Sequence, residues 1–216
     1  MKRFLIALPL TCALAGAAFA ADYRPATERP GMPEKLTEAL EHVKVAPPSA
    51  TAKAPAKARV RLETSKGNVT VELNGTAAPM HVKSFLNLAK IGFFDKTTFH
   101  RFAELIGPGQ GRIIQGGDPL TKVPTTREFA GMGGPGYEIP RENNNLKHDA
   151  MVIAAARSED PNSAGSQFYL TLDPTYFLDT TGAGYTVFGK VVDGKDVVLK
   201  LRQDDVLKKV VILKGK

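Results

Sequence analysis

Two polar side chains on either side of a glycine- and proline-rich stretch are the strongest candidates for chemistry in this sequence. Arg101 ends the triplet Phe99-His100-Arg101, and Gln115 opens the run 115–119, Gln-Gly-Gly-Asp-Pro, directly after two isoleucines. Arginine presents several planar donors and keeps its charge, while glutamine offers both a donor and an acceptor. Two glycines after a short apolar strand indicate unusual backbone angles or a close approach to a ligand. We therefore expect residues 98–119 to form the centre of the site, with the rest of the chain as scaffold or as a facing wall.

A second stretch, 153–172, combines small and aromatic residues and is the candidate for that facing wall. Its alanines 154–156 predict a strand of small side chains, where backbone can approach a ligand. Residues 165–170, GSQFYL, predict a second strand with polar and aromatic faces, and 177–179 adds two large apolar side chains. Taken alone, these aromatic residues are compatible either with a core or with a pocket.

The sequence lacks the usual motifs of hydrolysis, redox chemistry and metal binding. Residues 131–136, GMGGPG, match the glycines of a dinucleotide fingerprint, but a proline interrupts them and no apolar strand precedes them. Residues 107–111 lack the Lys-Ser/Thr of a phosphate loop, and the four histidines show no metal-ligand spacing. Asp118 beside Asp179 or Glu138 would make an acid/base pair, but their spacing does not support one. We expect no metal and no cofactor.

The elements that must position these residues are mostly short strands. Residues 59–74 alternate apolar and polar side chains around Lys66-Gly67-Asn68, which predicts a β-hairpin. A helix is predicted over 79–91, with Pro79 at a favoured first-turn position and Gly92 at its end. The same patterns predict further strands over 185–192 and 208–213 and a second helix over 193–201. Many short strands with few helices favour a closed or sandwiched antiparallel β architecture.

The N-terminus is typical of an export signal. Lys2 and Arg3 precede an apolar stretch, 4–18, that is too short to span a bilayer comfortably. Ala18-Phe19-Ala20 fits the small-x-small cleavage rule, so residues 1–20 are predicted to be a cleaved signal peptide. An uncleaved anchor is the alternative. We expect a periplasmic or secreted protein with no stable membrane insertion after cleavage.

Residues 21–57 are predicted to be a flexible segment in front of a single domain over 58–216. Their second half is rich in Ala, Pro, Ser and Lys and lacks aromatic residues, so it buries little apolar area to offset its ordering entropy. Residues 33–45 have the spacing of a short amphipathic helix. That helix either docks on the domain, floats beside it, or binds a partner.

Composition supports an ordinary soluble globular protein of 216 residues, 43% hydrophobic and 24% charged. The formal net charge is +7, but no basic stripe with interleaved aromatic residues is present, so nucleic acid is not an expected partner. The single cysteine, Cys12, lies in the predicted signal peptide, which leaves a mature chain without disulfides. A monomer is the expected state.

The order of motifs over residues 59–214 resembles the cyclophilin family of peptidyl-prolyl cis-trans isomerases. FHR, QGGDP, GMGGPGY, LKH, a small-residue strand, GSQFYL, FLD and YTVFGKVVDG occur in the family's order. The residues at Arg157 and Tyr185 are similar to the bacterial periplasmic branch. The resemblance implies a mainly β fold, a closed eight-stranded antiparallel β-barrel capped by two α-helices.

The resemblance also implies the roles of individual residues. Arg101 corresponds to the catalytic arginine, and Gln115 to the glutamine that holds the substrate backbone. Ala156 and Arg157 correspond to the strand that pairs with an extended peptide, Arg157 mainly through its backbone, and Tyr169 lies at the proline pocket. The other substrate-binding residues that it implies are Phe99, Ile113, Gln167, Phe168, Phe177, Leu178 and Tyr185.

The implied function is isomerisation of Xaa-Pro bonds in exported proteins as they fold, with proline-containing segments as partners. Residues 102–112 form a longer loop than the family has, and Arg112 stands where the family has a pocket phenylalanine. We expect Phe102, Leu105 or Ile106 to fold back if the pocket is to stay apolar. The alternatives are a low-activity or inactive proline-peptide-binding or chaperone-like module, and a tethered structural protein whose N-terminal segment docks a partner.

Overall fold

The computed structural model describes residues 23–26 and 31–214. The predicted signal peptide, residues 1–20, lies outside the described residues. The strands are β1 Arg24–Pro25, β2 Lys57–Thr64, β3 Gly67–Asn74, β4 Thr97–Thr98, β5 Arg101–Gly107, β6 Gln110–Gly116, β7 Tyr137–Glu138, β8 Val152–Ala155, β9 Phe168–Thr171, β10 Val187–Asp193 and β11 Val206–Leu213. The α-helices are α1 Glu34–Val43, α2 Pro79–Lys90 and α3 Lys195–Lys200.

Most of the strands form one strongly curled antiparallel sheet. Its order is β4-β11-β2-β3-β10-β8-β9-β6-β5, and β1 pairs with β7 in a separate small sheet. The two ends of the order, β4 and β5, follow each other in the chain with only Phe99 and His100 between them. Counted as one bent strand, they bring the curled sheet to eight strands. The predicted mainly β, cyclophilin-like architecture is confirmed, although the hydrogen-bonded ladder does not close strictly.

The predicted hairpin over 59–74 is β2 and β3. Its register runs without a break from Lys57 opposite Asn74 to Thr64 opposite Gly67. Because side chains alternate across a strand, one face of this hairpin carries the apolar residues that are buried in the barrel. The fully buried side chains of that face are Val60, Leu62, Val69, Val71 and Leu73.

Both predicted helices are present and cover the barrel. α2 begins at Pro79 and is followed by Gly92, which has φ +70° as expected of a helix end. α3 is shorter than the predicted 193–201, and its N-cap is Gly194 in the left-handed conformation. Across the described ranges, no helix combines the length and the apolar character needed to cross a membrane.

The N-terminal segment differs from the flexible segment that its composition indicates. Tyr23 is buried and its hydroxyl donates to the carbonyl oxygen of Met80 at 3.0 Å. β1 pairs with β7, and the expected short helix is α1, whose Leu36 is fully buried. A few large apolar side chains thus dock a segment whose average composition is that of a linker, because each buried side chain of this kind contributes about 1.5–3 kcal/mol.

Candidate active site

The register of four neighbouring strands brings the predicted site residues onto one face of the sheet. Arg101 on β5 lies directly opposite Gln115 on β6, Gln115 lies opposite Tyr169 on β9, and Tyr169 lies opposite Ala154 on β8. Residues paired in this way point to the same side of the sheet. The Arg101 side chain is exposed, and its Nη1 donates to Gln115 Oε1 at 3.3 Å. The predicted catalytic pair therefore forms a single row with the predicted pocket tyrosine.

A chain of amide hydrogen bonds fixes which way the Gln115 side chain faces. Gln115 Nε2 donates to Gln167 Oε1 at 2.9 Å. Gln167 Nε2 in turn donates to the carbonyl oxygens of Gly131 at 2.9 Å and Gly133 at 2.8 Å. Since carbonyl oxygens only accept, the Gln167 amide nitrogen must face them and its oxygen must face Gln115. The Gln115 oxygen is then directed at Arg101, so two backbone carbonyls orient the guanidinium.

Asp118 holds the loop that supplies those carbonyls. Its fully buried carboxylate accepts hydrogen bonds from the N–H groups of Leu120 at 2.8 Å, Gly131 at 2.5 Å and Gly133 at 3.1 Å. Burial raises the pKa of Asp118, and these N–H groups oppose that rise. A Cβ at Gly133 would lie 2.0 Å from Asp118 Oδ1, so this approach requires glycine. Asp118 is thus an anchor for the loop 131–136.

An apolar cluster, separate from the main core, lies next to the row of Arg101, Gln115 and Tyr169. It contains Ile113, Tyr169 and Leu178, which the family resemblance implies for the proline pocket, and we call it the pocket cluster. The Tyr185 backbone N–H donates to the Leu178 carbonyl oxygen at 3.1 Å. The Tyr185 ring meets the Tyr169 ring edge-on, with the ring centres 6.2 Å apart. The buried members of the cluster are Ile113, Val152, Ala154, Tyr169, Leu178 and Val187, with Ala103, Leu105, Leu146, Ala156 and Tyr185 packed against them.

Leu105 completes the pocket where Arg112 leaves it without an aromatic ring. The residues 102–112, expected to be a loop, instead form most of the β5–β6 hairpin, and its register shifts between Glu104 and Gly107. Leu105 lies two residues after Ala103, so strand alternation places both side chains on the face of the pocket cluster. Ile106 remains 58% exposed. Of the three side chains expected to compensate, Leu105 is the one that does so.

The other candidate, Phe102, and the charged Arg112 both point elsewhere. Phe102 packs against the main core, with the Arg202 guanidinium 5.5 Å above its ring. Arg112 forms a bidentate ion pair with Asp173, in which Nε and Nη2 each donate at 2.7 Å to a different carboxylate oxygen. This pair lowers the pKa of Asp173. The charge that would have disturbed the pocket is therefore neutralised outside it.

The hydroxyl of Tyr169, which needs a partner when buried, bonds to His148. The Tyr169 hydroxyl oxygen lies 2.8 Å from His148 Nε2, and His148 Nδ1 lies 2.7 Å from Asp179 Oδ1. The carboxylate can only accept, so Nδ1 carries the proton and Nε2 accepts from the tyrosine. Burial lowers the pKa of His148, against the opposing effect of Asp179. A neutral histidine thus fixes the ring that forms one pocket wall.

Arg157 contributes its side chain as well as its backbone. The guanidinium carbon lies 4.2 Å from the centre of the Tyr185 ring, and Nη2 donates to the carbonyl oxygen of Gly184 at 3.2 Å. The neighbouring Ala156 N–H donates to the Gln167 carbonyl oxygen at 3.0 Å, beside the end of β8. Arg157 therefore holds the Tyr185 ring over the pocket, a role that the resemblance did not imply.

Three of the expected substrate-binding residues lie away from the pocket cluster. Phe99 and Phe168 are buried in the main core, where their rings meet edge-on at 6.4 Å. Phe177 is 38% exposed in a 3₁₀ turn, Tyr176–Asp179, and only the following Leu178 packs into the pocket. Phe99 and Phe168 support the strands that carry Arg101 and Tyr169, and Phe177 stands at the rim.

The sequence analysis assigned no supporting role to Asp118, His148 or Asp173. It named Leu105 only as one of three side chains that could complete the pocket. The motif order did include Asp118, in QGGDP, and His148, in LKH. A search of the described residues finds no group of three or more His, Cys, Asp or Glu side chains that could hold a metal ion.

Comparison with known proteins identifies the family. The family model described as Cyclophilin type peptidyl-prolyl cis-trans isomerase/CLD matches residues 59–215. Peptidyl-prolyl cis-trans isomerase cyp18 of Streptomyces antibioticus is 35% identical over 145 residues, which is 64% of this chain and 80% of that protein. Peptidyl-prolyl cis-trans isomerase B of Escherichia coli K12 is 35% identical over 151 residues, 66% of this chain and 83% of that protein.

Solved structures agree with the sequence comparison. A Cryptosporidium parvum cyclophilin type peptidyl-prolyl cis-trans isomerase superposes with a TM-score of 0.62 at 28% identity, over 74% of this chain and 99% of that one. The same protein solved in the presence of the dipeptide Ala-Pro gives a TM-score of 0.61 at 29% identity, over 73% and 99% of the two chains. With its row of Arg101, Gln115 and Tyr169 beside an apolar pocket, this chain belongs to the cyclophilin-type peptidyl-prolyl cis-trans isomerases.

Proposed function

We propose that this chain isomerises Xaa-Pro peptide bonds in exported proteins as they fold. The observation that carries the proposal is the exposed Arg101 guanidinium held by Gln115 at the edge of an apolar pocket. A pocket of this kind accepts a prolyl ring, while a few polar groups at its edge fix the orientation of the peptide. The Cryptosporidium parvum relative solved with Ala-Pro supports a proline-containing peptide as the ligand.

The Arg101 donor acts on the rotating bond without transferring a proton. Rotation about an amide has a barrier of about 18–20 kcal/mol, and Xaa-Pro bonds take tens to hundreds of seconds to isomerise. When the bond is twisted, the lone pair localises on the prolyl nitrogen and becomes a hydrogen-bond acceptor. A guanidinium aimed at that nitrogen therefore binds the transition state better than either planar state. About 1.4 kcal/mol of such preference for the transition state accelerates rotation tenfold.

The remaining residues hold the peptide on either side of the ring. Ile113, Leu178 and Tyr169 enclose the ring, and Gln115 has a second amide N–H that is not used by Gln167 and can donate to a peptide carbonyl. The backbone at Ala156 and Arg157, just after β8, is the segment proposed to pair with an extended peptide. Holding the chain on both sides of the bond keeps it in the geometry in which Arg101 can act.

Export is proposed from the leader sequence. Lys2 and Arg3, the apolar stretch 4–18 and Ala18-Phe19-Ala20 support a cleaved signal peptide and a periplasmic or secreted location. The proposed partners are proline-containing segments of unfolded exported proteins, bound by a monomer. N-terminal sequencing of the protein after expression in a Gram-negative host tests this, with Ala21 expected as the first residue; a chain that keeps its leader on the membrane would contradict it.

A refolding assay tests the isomerase proposal against the alternative of a binding or chaperone-like module. The wild type is expected to accelerate the slow, proline-limited refolding phase of an exported protein, whereas Arg101→Ala is not. Arg59→Ala is a matched control, because this exposed arginine lies on β2 and pairs with Glu72 at 3.2 Å. If wild type and Arg101→Ala both leave the slow phase at its spontaneous rate while a proline peptide still binds, the chain is a binding module.

A further inference from the structure

A cavity of about 540 Å³ opens beside the proposed active site, and the proposed rotation of the prolyl bond does not involve it. One side consists of groups that belong to the site, among them Gln115, Ala156 and Gln167. The opposite side is formed by the segment around α1, with Met32 and Leu40. The cavity is therefore shared between the curled sheet and the N-terminal segment, and it falls within the size range of ligand-binding pockets.

The α1 wall is fixed to the domain at several points. Leu36 is fully buried, and Lys35 forms an ion pair with Glu128. At the C-terminal end of the segment, the Val45 N–H donates to the Pro135 carbonyl oxygen at 2.9 Å. The segment is therefore attached to the domain both before and after Leu40. Leu40 itself is half-buried, lines the cavity and is absent from the side chains packed on either apolar cluster.

The polar relay of the site determines which part of a peptide would reach the cavity. Along the strands, the pocket cluster with Ile113 comes first, then Gln115 with Arg101 opposite it, and then Gln167, which lines the cavity. Along a peptide, the prolyl ring is followed by its nitrogen, then by the preceding carbonyl, then by the preceding residues. With Arg101 at the prolyl nitrogen, the residues that precede proline extend past Gln167 into the cavity.

The chemistry of the cavity favours an apolar side chain. Met32, Leu40 and Met132 supply flexible apolar surface to it. Four charged residues also line the cavity: Glu41, Lys44, Glu138 and Arg157. Glu41 and Lys44 form an ion pair with each other, and the Arg157 guanidinium contacts the Tyr185 ring and the Gly184 carbonyl oxygen. A leucine or phenylalanine side chain placed there would contact both walls at once.

We propose that α1 forms the second wall of a subsite that selects a large apolar residue at the second position before proline. The inference rests on the proposed isomerase function, since that function places the peptide. It assigns to the N-terminal segment a role in substrate choice. Leu40 is the residue on which the selection depends most directly, because it meets the peptide side chain without also supporting the core.

Exchange NMR on two peptides that differ at one position tests the subsite. The mature chain is expected to isomerise Leu-Ala-Pro-Phe with about tenfold higher kcat/KM than Ala-Ala-Pro-Phe, from burial of the leucine side chain. Leu40→Ala is expected to reduce this ratio towards one. Glu38→Ala, on the exposed face of α1, is the matched control and keeps the ratio.

Three outcomes would overturn the inference: a wild-type ratio near one, a ratio unchanged in Leu40→Ala, or Leu40→Ala accelerating both peptides equally, as a blocking segment would. Failure of the isomerase proposal is distinguished by binding. If neither peptide is isomerised, the affinities of the same two peptides for wild type and Leu40→Ala are compared by titration. A leucine preference that depends on Leu40 then supports the subsite without turnover, and its absence rejects it.

Discussion

At the scale of single residues, the orientation of the Arg101 guanidinium depends on groups that other elements supply. The residue types of Arg101 and Gln115, and their place around a glycine-rich stretch, indicated a donor and a backbone clamp. The orientation of these groups comes from the carbonyl oxygens of Gly131 and Gly133, through Gln167. A composition or spacing pattern carries no information on that relay, because it joins segments far apart in the chain and depends on an amide orientation.

The relay predicts that Gln167→Glu lowers catalysis while leaving the fold intact. A carboxylate has the shape of the amide but cannot donate to the carbonyl oxygens of Gly131 and Gly133, which therefore repel it. The side chain is expected to move away from them and to draw Gln115, which still donates to it, out of line with Arg101. We expect kcat/KM on an Ala-Pro peptide to fall about ten- to a hundredfold. Gln110→Glu, the same change at the exposed turn of the β5–β6 hairpin, serves as control. Equal rates for both variants would remove the relay from the account.

The His148–Tyr169 contact predicts a pH effect on stability. Burial places the folded-state pKa of His148 below its unfolded value. The stability that it contributes is therefore present above about pH 6.5 and is lost as the pH falls through the lower folded-state pKa. Urea unfolding at pH 7 and pH 5 should show a smaller loss of unfolding free energy in His148→Gln than in wild type. His100, whose pKa burial also lowers, is common to both proteins and cancels in the comparison. An identical loss of unfolding free energy in wild type and in His148→Gln would contradict the proposed effect of His148 on stability.

At the scale of elements, the β5–β6 hairpin is where sequence and structure differ most. Its glycines and proline suggested a loop over 102–112, but in the structure only Pro108 and Gly109 form the turn, and β5 and β6 extend to either side of it. Leu105 packs on the pocket cluster because it shares a strand face with Ala103, two residues before it. The sequence could not single out Leu105, because these residues were expected to form a loop and not a strand. Arg112 could be identified as a departure from the family, but its partner Asp173 lies on a different element and could not.

The Arg112–Asp173 pair predicts a measurable coupling in hairpin stability. Its bidentate geometry and partial burial place it near the upper end for surface pairs, about 1 kcal/mol in a double-mutant cycle of Arg112→Ala and Asp173→Ala. The folded-state pKa of Asp173 is lowered, so the coupling is present above about pH 4 and lost as the pH falls through that lowered value. The Arg59–Glu72 pair, whose arginine contacts a single oxygen, should show less coupling. A coupling of zero would mean that Arg112 is merely solvated.

Leu105 predicts a separate effect on substrate binding. Truncation in Leu105→Ala removes apolar surface from the ring pocket, and KM for a proline peptide should rise about three- to tenfold. Ile106→Ala, one residue along the same hairpin at a largely exposed side chain, should leave KM unchanged. If the two variants behave alike, the hairpin rather than the Leu105 side chain determines binding.

At the scale of the whole molecule, the curled sheet and its two covering helices could be inferred from alternation, helix periodicity and motif order. The association of the N-terminal segment could not, because a Pro-, Ala- and Lys-rich composition hides the few residues that dock it, Tyr23 and Leu36. The same segment lines the cavity beside Gln115, so the chain outside the family match contributes a wall to the site. Local patterns thus predicted the scaffold, whereas contacts between distant segments define what is particular to this protein.

The most direct test of the central claim separates peptide binding from bond rotation in Arg101→Ala. Exchange NMR on an Ala-Pro peptide gives the catalysed rate, and titration of the same peptide gives its affinity. Because Arg101 is proposed to act on the twisted bond, the rate should fall about a hundredfold or more while ground-state affinity stays within about threefold. A loss of affinity as large as the loss of rate, or a rate that survives the substitution, would contradict the account.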